Sequence, residues 1–288
     1  MNYLTEEPIQ LLDALRKMYP DSSNKSLRDM LKNRRVSVDD RVVIRADFAL
    51  EPGQQVSVGV VHRRLFKGVR IIYEDRSLIA INKPAKLLSV PLDSRNSAHA
   101  LGILHDYFHT DQIYAVHRLD REASGVMIFA RGKQSATRLG EMFTNHDLNR
   151  VYTAIVQGEL NPDQGSWKSY LEELESYRVR VTNEKEGKEA ITHFTVIRRS
   201  KNFTFLRLTL ETGKKHQIRV HCTDAGHPIA GDKMYGPPSC NPISRMCLHA
   251  SLLEFVHPFT GKKMSFSAPL PTAFVKLGLK RDNPNGRK

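Results

Sequence analysis

The residues GVMIFAR (125–131) are a continuous apolar run with no polar–apolar alternation, which reads as a strand buried on both faces. Further strand-like segments surround it. RSLIAINKP and IYAVHRLD precede it, and RVYTAIVQG, AITHFTVIRRS, FTFLRLTLETG, KHQIRVHC and CLHASLLEFVHP follow. Helical patterns are interspersed at AHALGILHDYF and SATRLGEMFTNH. The connections are short and show no regular strand–helix–strand alternation. The pattern predicts an α+β fold built on a mixed, mainly antiparallel sheet.

The first sixty residues read differently. In QLLDALRKMY, Leu11, Leu12, Leu15, Met18 and Tyr19 share one helical stripe, which Pro20 ends. A second helix follows in SNKSLRDMLKNRR, with Ser23 as its N-cap and Leu27, Met30 and Leu31 as its apolar face. Lys25, Arg28, Lys32, Arg34 and Arg35 occupy its other faces. Short strands come next, with Asp39–Asp40 and Pro52–Gly53 as turns. A module of this size has little core of its own. Its basic helix reads either as a solvated face or as a contact for a polyanion.

The 288 residues hold 44 Lys and Arg against 31 Asp and Glu, a formal charge of +13. That excess favours a polyanionic partner and disfavours an enzyme of cationic substrates. No stretch of about 18 apolar residues predicts a membrane span. The opening MNYLTEEPIQ has the character of neither a secretory signal nor a transit peptide. Three cysteines, Cys222, Cys240 and Cys247, lack C-x-x-C spacing and argue against a disulfide framework or zinc site. A reducing, cytoplasmic compartment is expected.

Two segments carry chemistry. In AVHRLDREASGVMIF, the residues His117, Arg118, Asp120 and Arg121 sit on a loop before the buried strand. An Asp120 carboxylate beside arginines stays ionised and could serve as nucleophile, general base or simply a loop ion pair. In KHQIRVHC, read as a strand, Gln217, Arg219 and His221 share one face while His216, Ile218 and Val220 share the other. Arg219 is then a natural partner for a buried acid such as Asp120, and two histidines on opposite faces make a poor metal site. Tyr152, in RVYTAIVQG, is a stacking platform for a base or an ordinary core residue. REASGV does not match the G-x-S-x-G of serine hydrolases.

Together these residues resemble the RluA-type pseudouridine synthases. The likeness is carried by His117-Arg118-Leu119-Asp120, Ser124-Gly125, Tyr152-x-Ala154-x-Val156-x-Gly158 and Thr212-Gly213-x-x-His216-Gln217-Ile218-Arg219-x-His221. Asn82-Lys83-Pro84, Gly226-His227-Pro228-Ile229-x-Gly231-Asp232, Leu248-His249-Ala250 and His257-Pro258 extend it. It spans roughly residues 70 to 272, and residues 11–59 resemble the S4 RNA-binding module. The layout it implies is an S4-like module over 8–61, a linker over 62–70, a catalytic domain over 71–275 and a basic tail over 276–288.

The resemblance implies an RNA uridine isomerase that needs neither cofactor nor metal. It makes Asp120 the essential residue, pairs Arg219 with it, and packs Tyr152 on the flipped uracil, where it helps remove the C5 proton. A base must leave its stack to react, and Arg118 would fill the gap. His117 is expected at the RNA and Lys25, Arg28, Lys32 and Arg35 on RNA, while the apolar positions of Ile218 and Leu253 place them at the pocket wall. A monomer acting on large-subunit ribosomal RNA is expected, with transfer RNA or a non-catalytic RNA-binding role as alternatives. Glu122-Ala123 replaces the usual Asp-Thr, Lys86 and Lys214 stand where Gly and Arg are more usual, and Asn24 and Arg34 where Arg and Gly are.

Overall fold

The computed structural model describes residues 2–20, 22–32, 35–39, 41–58, 65–91, 98–237 and 245–278. Arg34, Asp40, Cys240, residues 62–64 of the expected linker and residues 279–288 of the tail lie outside the described residues. The chain divides into two compact units, residues 1–65 with 70–74, and residues 66–69 with 75–288.

The first unit contains β1 (Asn2–Leu4), β2 (Ile9–Gln10), α1 (Leu11–Met18), α2 (Asn24–Lys32), β3 (Val36–Val38), β4 (Arg41–Val42), β5 (Ala49–Leu50), β6 (Gln55–Val58) and β7 (Arg70–Glu74). The expected stripe of α1 is buried through Leu11, Leu12, Leu15 and Met18. Leu27 and Leu31 of α2 join the same cluster, closed by Val36, Val38 and Val56. Ser23 caps α2, its Oγ accepting the Ser26 N–H at 3.2 Å. The strands form an antiparallel sheet in the order β1-β6-β3-β4, with β2 and β5 paired separately. Lys25, Arg28 and Lys32 are exposed. Their i, i+3, i+7 spacing puts them on one helical face. Arg35 is half-buried just past the helix.

The second unit carries β8 (Leu78–Lys83), α3 (Ala100–Phe108), β9 (Ile113–Ala115), β10 (Ser124–Arg131), α4 (Lys133–Asn145), β11 (Leu148–Gln157), β12 (Gln164–Glu173), β13 (Val179–Thr182), β14 (Lys188–Ser200), β15 (Phe203–Leu210), α5 (Gln217–Asp224), β16 (Leu248–Val256), β17 (Lys263–Ser267) and α6 (Thr272–Lys276). The sheet runs β13-β12-β14-β15-β11-β16-β10-β8, with β17 beside β16 and β9 beside β10. Only β10 and β16 pair in parallel among the registers of this order, so the sheet is mixed and mainly antiparallel as expected. In β10 every residue from Ser124 to Ala130 is buried.

Two features of the central strands place the site. Gly125 pairs with Ala250 on one side of β16, and Tyr152 pairs with the same Ala250 on the other. The approach at Gly125 is so close that a Cβ would lie 2.1 Å from the Ala250 carbonyl oxygen, and its φ is +120°, so only glycine fits. A register shift between Val151 and Tyr152 bulges the β11–β16 pairing immediately beside it. Bulges of this kind re-aim side chains next to active sites.

The segment KHQIRVHC departs from its expected strand and forms α5 instead. Ile218 and Val220 favour a strand locally, but six of the eight helical residues, Gln217 to Cys222, are buried. A helix buried on all sides displays no amphipathic stripe, so its period is hidden in the sequence. Ile218 and Cys222, one turn apart, enter the main core, while Gln217 and His221, also one turn apart, both bond the Thr192 hydroxyl at 3.0 and 2.9 Å. His216 and His221, five residues apart, still face different surroundings: His216 meets Tyr235 and Asp120, and His221 meets Thr192 and Ser169. Among the described residues, no group of three or more His, Cys, Asp or Glu is placed to hold a metal ion. Strands β12 and β13 were not legible because cross-strand charges replace an apolar pattern: Lys168–Glu189 at 2.7 Å and Arg180–Glu172 at 3.0 Å.

Candidate active site

The loop between β9 and β10 is held from three directions. His117 Nε2 accepts the Ile128 N–H at 3.0 Å, and its ring stacks on Phe143 with centroids 4.3 Å apart. Ser89 Oγ donates to the Leu119 carbonyl at 2.7 Å and accepts the Leu119 N–H at 3.1 Å. Lys83, fully buried at the end of β8, donates to the carbonyls of Ala123 (2.8 Å) and Leu87 (2.7 Å), with those of Pro84 and Arg121 at 3.1 and 3.4 Å. Burial pulls the Lys83 ammonium down to about 7, partly countered by the Asp120 charge.

This clamp delivers Asp120 to an open pocket of about 410 Å³. Its lining includes Arg118, Leu119, Asp120 and Ala123 from the loop, Tyr152 and Leu248 from the two central strands, and Lys214, His216, Ile218 and Arg219 around the start of α5. Arg118 is the exposed member of this lining loop.

Arg219 is shared between two carboxylates. Its Nε and Nη2 form a bidentate pair with Asp232 at 2.7 and 2.9 Å, and its Nη1 donates to Asp120 Oδ2 at 3.1 Å. Burial opposes the guanidinium charge, but the bonds to Asp232 and the field of both carboxylates outweigh it and raise the pKa. Burial likewise opposes the Asp232 charge, yet Arg219 and the N–H groups of Met234 and Tyr235 hold its carboxyl below the usual range. The stronger geometry thus belongs to Asp232, which sequence reasoning placed in a motif without a role.

The remaining expected residues take several different places. His117 does not line the pocket; its ring supports β10, and burial pushes it down to about 3, so it is a neutral acceptor. Leu253 is buried but lies five residues along β16 from the pocket residue Leu248, roughly 17 Å at strand spacing. Lys25, Arg28, Lys32 and Arg35, expected on RNA, belong to the first unit. Burial pushes the Tyr152 phenol up to about 12, so it stays neutral at neutral pH. Arg150, two residues earlier, is buried with its Nε unpaired.

Sequence reasoning also missed Lys83 and His216 as site residues. A lysine closing the apolar strand LIAINK was the available signal for the first. Ser124 Oγ lies 2.8 Å from His249 Nδ1, but both are buried and Arg245 also donates to that hydroxyl at 2.8 Å, so the pair is part of the frame.

Two predictions follow from this frame. Lys83→Met leaves the Ala123 and Leu87 carbonyls without their donor, at about 1–3 kcal/mol for each buried group. The variant is expected to lose roughly 3 kcal/mol or more in guanidinium denaturation and most of its activity; unchanged stability would refute the clamp. The second concerns acid. Burial holds His117 at about 3, and His221 and His249 at about 4. The unfolded chain takes up these protons near pH 6.5, so stability is lost as pH falls from there toward 4. Each histidine contributes a slope of about 1.4 kcal/mol per pH unit. Denaturation midpoints measured from pH 7 to 4.5 should fall steeply, and a flat profile would contradict the neutral assignment.

Comparison with known proteins points one way. The model of a family described as RNA pseudouridylate synthase matches residues 77–224. The uncharacterized RNA pseudouridine synthase YlyB of Bacillus subtilis is 32% identical over 270 residues, covering 89% of each chain. Ribosomal large subunit pseudouridine synthase D of Escherichia coli is 31% identical over 292 residues, covering 93% of this chain and 89% of that one. Among solved structures, human RNA Pseudouridylate Synthase Domain Containing 1 superposes with a TM-score of 0.61 at 22% identity, covering 74% of this chain and 86% of that one. Human RNA Pseudouridylate Synthase Domain Containing 4 gives 0.59 at 24% identity, covering 71% and 90%. These two likenesses concern the fold.

Proposed function

The chain belongs to the RNA pseudouridylate synthase family, and from that premise we propose that it isomerises uridines of large-subunit ribosomal RNA with Asp120 as the reacting carboxylate. The observation that carries the reading is the placement of Asp120 in the pocket, its Oδ2 held by Arg219 at 3.1 Å beside the Tyr152 ring. In the reaction the uracil N1–C1′ bond breaks, a C5–C1′ bond forms, the C5 proton leaves and N1 gains one. Atoms and charge balance without an outside reactant.

Asp120 acts at the sugar, as nucleophile or base, while Arg219 steadies its carboxylate. Tyr152 packs on the uracil ring. With its phenol pushed up to about 12, it meets the C5 proton as a hydroxyl rather than a phenolate. Arg118, exposed beside the pocket, occupies the gap left by the flipped base. The ribosomal target is supported by the Escherichia coli relative, whose likeness covers 93% of this chain. The first unit is read as an S4-like RNA-binding module whose exposed Lys25, Arg28 and Lys32 contact phosphates.

The test uses the full chain with transcripts carrying tritium at uridine C5. Release is expected from large-subunit ribosomal RNA and not from transfer RNA, and chemical mapping then locates the product. No release from any RNA overturns the activity, while release from transfer RNA alone replaces the target.

A further inference from the structure

Asp120 has two carboxylate oxygens, and the mechanism above accounts for one. Oδ2 accepts from Arg219, while Oδ1 faces Nε2 of His216 at 3.8 Å. His216 stands at the N-terminus of α5 with φ +53°, a left-handed conformation uncommon outside glycine and asparagine. Its other ring nitrogen, Nδ1, lies 2.9 Å from the Tyr235 hydroxyl. That hydroxyl already accepts the Val179 N–H at 2.8 Å, so its own proton is free to point at Nδ1. The imidazole then keeps its proton on Nε2, directed at Asp120.

Tyr235 is itself fixed from several sides. Its N–H donates to Asp232 Oδ1 at 3.2 Å, its ring lies 4.9 Å from the Arg219 guanidinium, and it meets the His216 ring edge-on at 5.6 Å. We propose that His216, oriented by Tyr235, is a positioning residue for Asp120: its Nε2–H holds Oδ1 while Arg219 holds Oδ2, fixing which edge of the carboxylate meets the ribose. The proposal rests on the reading of Asp120 as the reacting group. The 3.8 Å separation closes to a hydrogen bond when RNA fills the pocket, since catalytic hydrogen bonds are often long without substrate.

The charged groups facing His216 are Asp120, Arg219, Lys215 and Asp232. Burial outweighs the two carboxylates and lowers the His216 pKa, which keeps the ring a neutral donor. A protonated His216 would instead bind Asp120 as an ion pair and draw electron density from it.

The experiment compares wild type, His216→Ala, His216→Gln and Tyr235→Phe for tritium release across pH 5.5–9, together with RNA binding. His216→Ala should lower kcat by roughly 10- to 100-fold with KM little changed, the scale of a misplaced reacting group. His216→Gln, which restores an N–H donor, should recover most of it. Tyr235→Phe removes the bond that favours the neutral ring, so the acid limb of its pH profile should move to higher pH. Normal turnover in His216→Ala, no rescue by Gln, or an unmoved limb in Tyr235→Phe overturns the proposal. Should wild type release no tritium, the functional reading has failed, and nitrogen NMR judges the contact by itself. His216 should then show the Nε2–H tautomer and a pKa that falls in Asp120→Asn; an Nδ1–H tautomer or an unchanged pKa refutes it.

Discussion

Asp120→Asn is expected to abolish pseudouridine formation, by about 10⁴-fold for loss of a reacting group of this kind, while leaving the fold and RNA binding nearly intact. Asparagine keeps the shape and one oxygen able to accept from Arg219, so the pocket geometry is retained. What disappears is the negative charge and with it the nucleophile or base. The cost to stability is small for a specific reason. The Asp120 side chain is 24% exposed, and Arg219 retains its bidentate pair with Asp232 when the Asp120 charge is removed. The unfolding free energy should stay within about 1 kcal/mol of wild type, the scale of a part-exposed charge pair. Tritium release and filter binding on one preparation separate the two effects. Near-normal turnover would remove Asp120 from the mechanism.

The strands that carry the pocket were readable because burial and alternation leave a direct mark. GVMIFAR is apolar since both faces of β10 are covered, and the helices of the first unit show one-sided stripes because each has a single core face. The helix α5 was misread for the converse reason. It is enclosed on every side, so its polar residues pair inward, Gln217 and His221 with Thr192 and Arg219 with Asp232. Nothing in one short segment distinguishes that from an alternating strand.

The functional residues divide along a similar line. Asp120, Arg219 and Ile218 reach the pocket because their motif survives either reading of the local backbone. Leu253 was assigned by apolar character alone, which marks burial and not location, and the pocket position is taken by Leu248. His117 sits within the catalytic motif, yet its role is to accept an N–H from β10. The Asp232 pairing depends on a turn thirteen residues beyond Arg219, a contact that no periodicity encodes.

Arg219→Ala tests that pairing, and its first expected effect is on stability. The Asp232 side chain is fully buried, and without the guanidinium its charge has no counterion. Breaking a buried pair from one side costs about 3–5 kcal/mol. In wild type, Arg219 holds the Asp232 carboxyl below the usual range, so its stabilising contribution is present at neutral pH and is lost only in strong acid. In Arg219→Ala, only the Met234 and Tyr235 N–H groups still oppose desolvation, so that pKa rises from its wild-type position. The deficit against wild type should therefore shrink as pH falls from 7 toward 5.5, because the orphaned carboxyl takes up a proton. Adding Asp232→Asn removes the charge and should recover part of the stability at pH 7. Activity should stay low in both variants, since neither restores the Nη1 donor to Asp120. Guanidinium denaturation at the two pH values, with tritium release on the same samples, measures each quantity. If the double variant regains turnover along with stability, Arg219 serves the frame through Asp232 and not Asp120. If Arg219→Ala is as stable as wild type, the buried pair does not hold the pocket together.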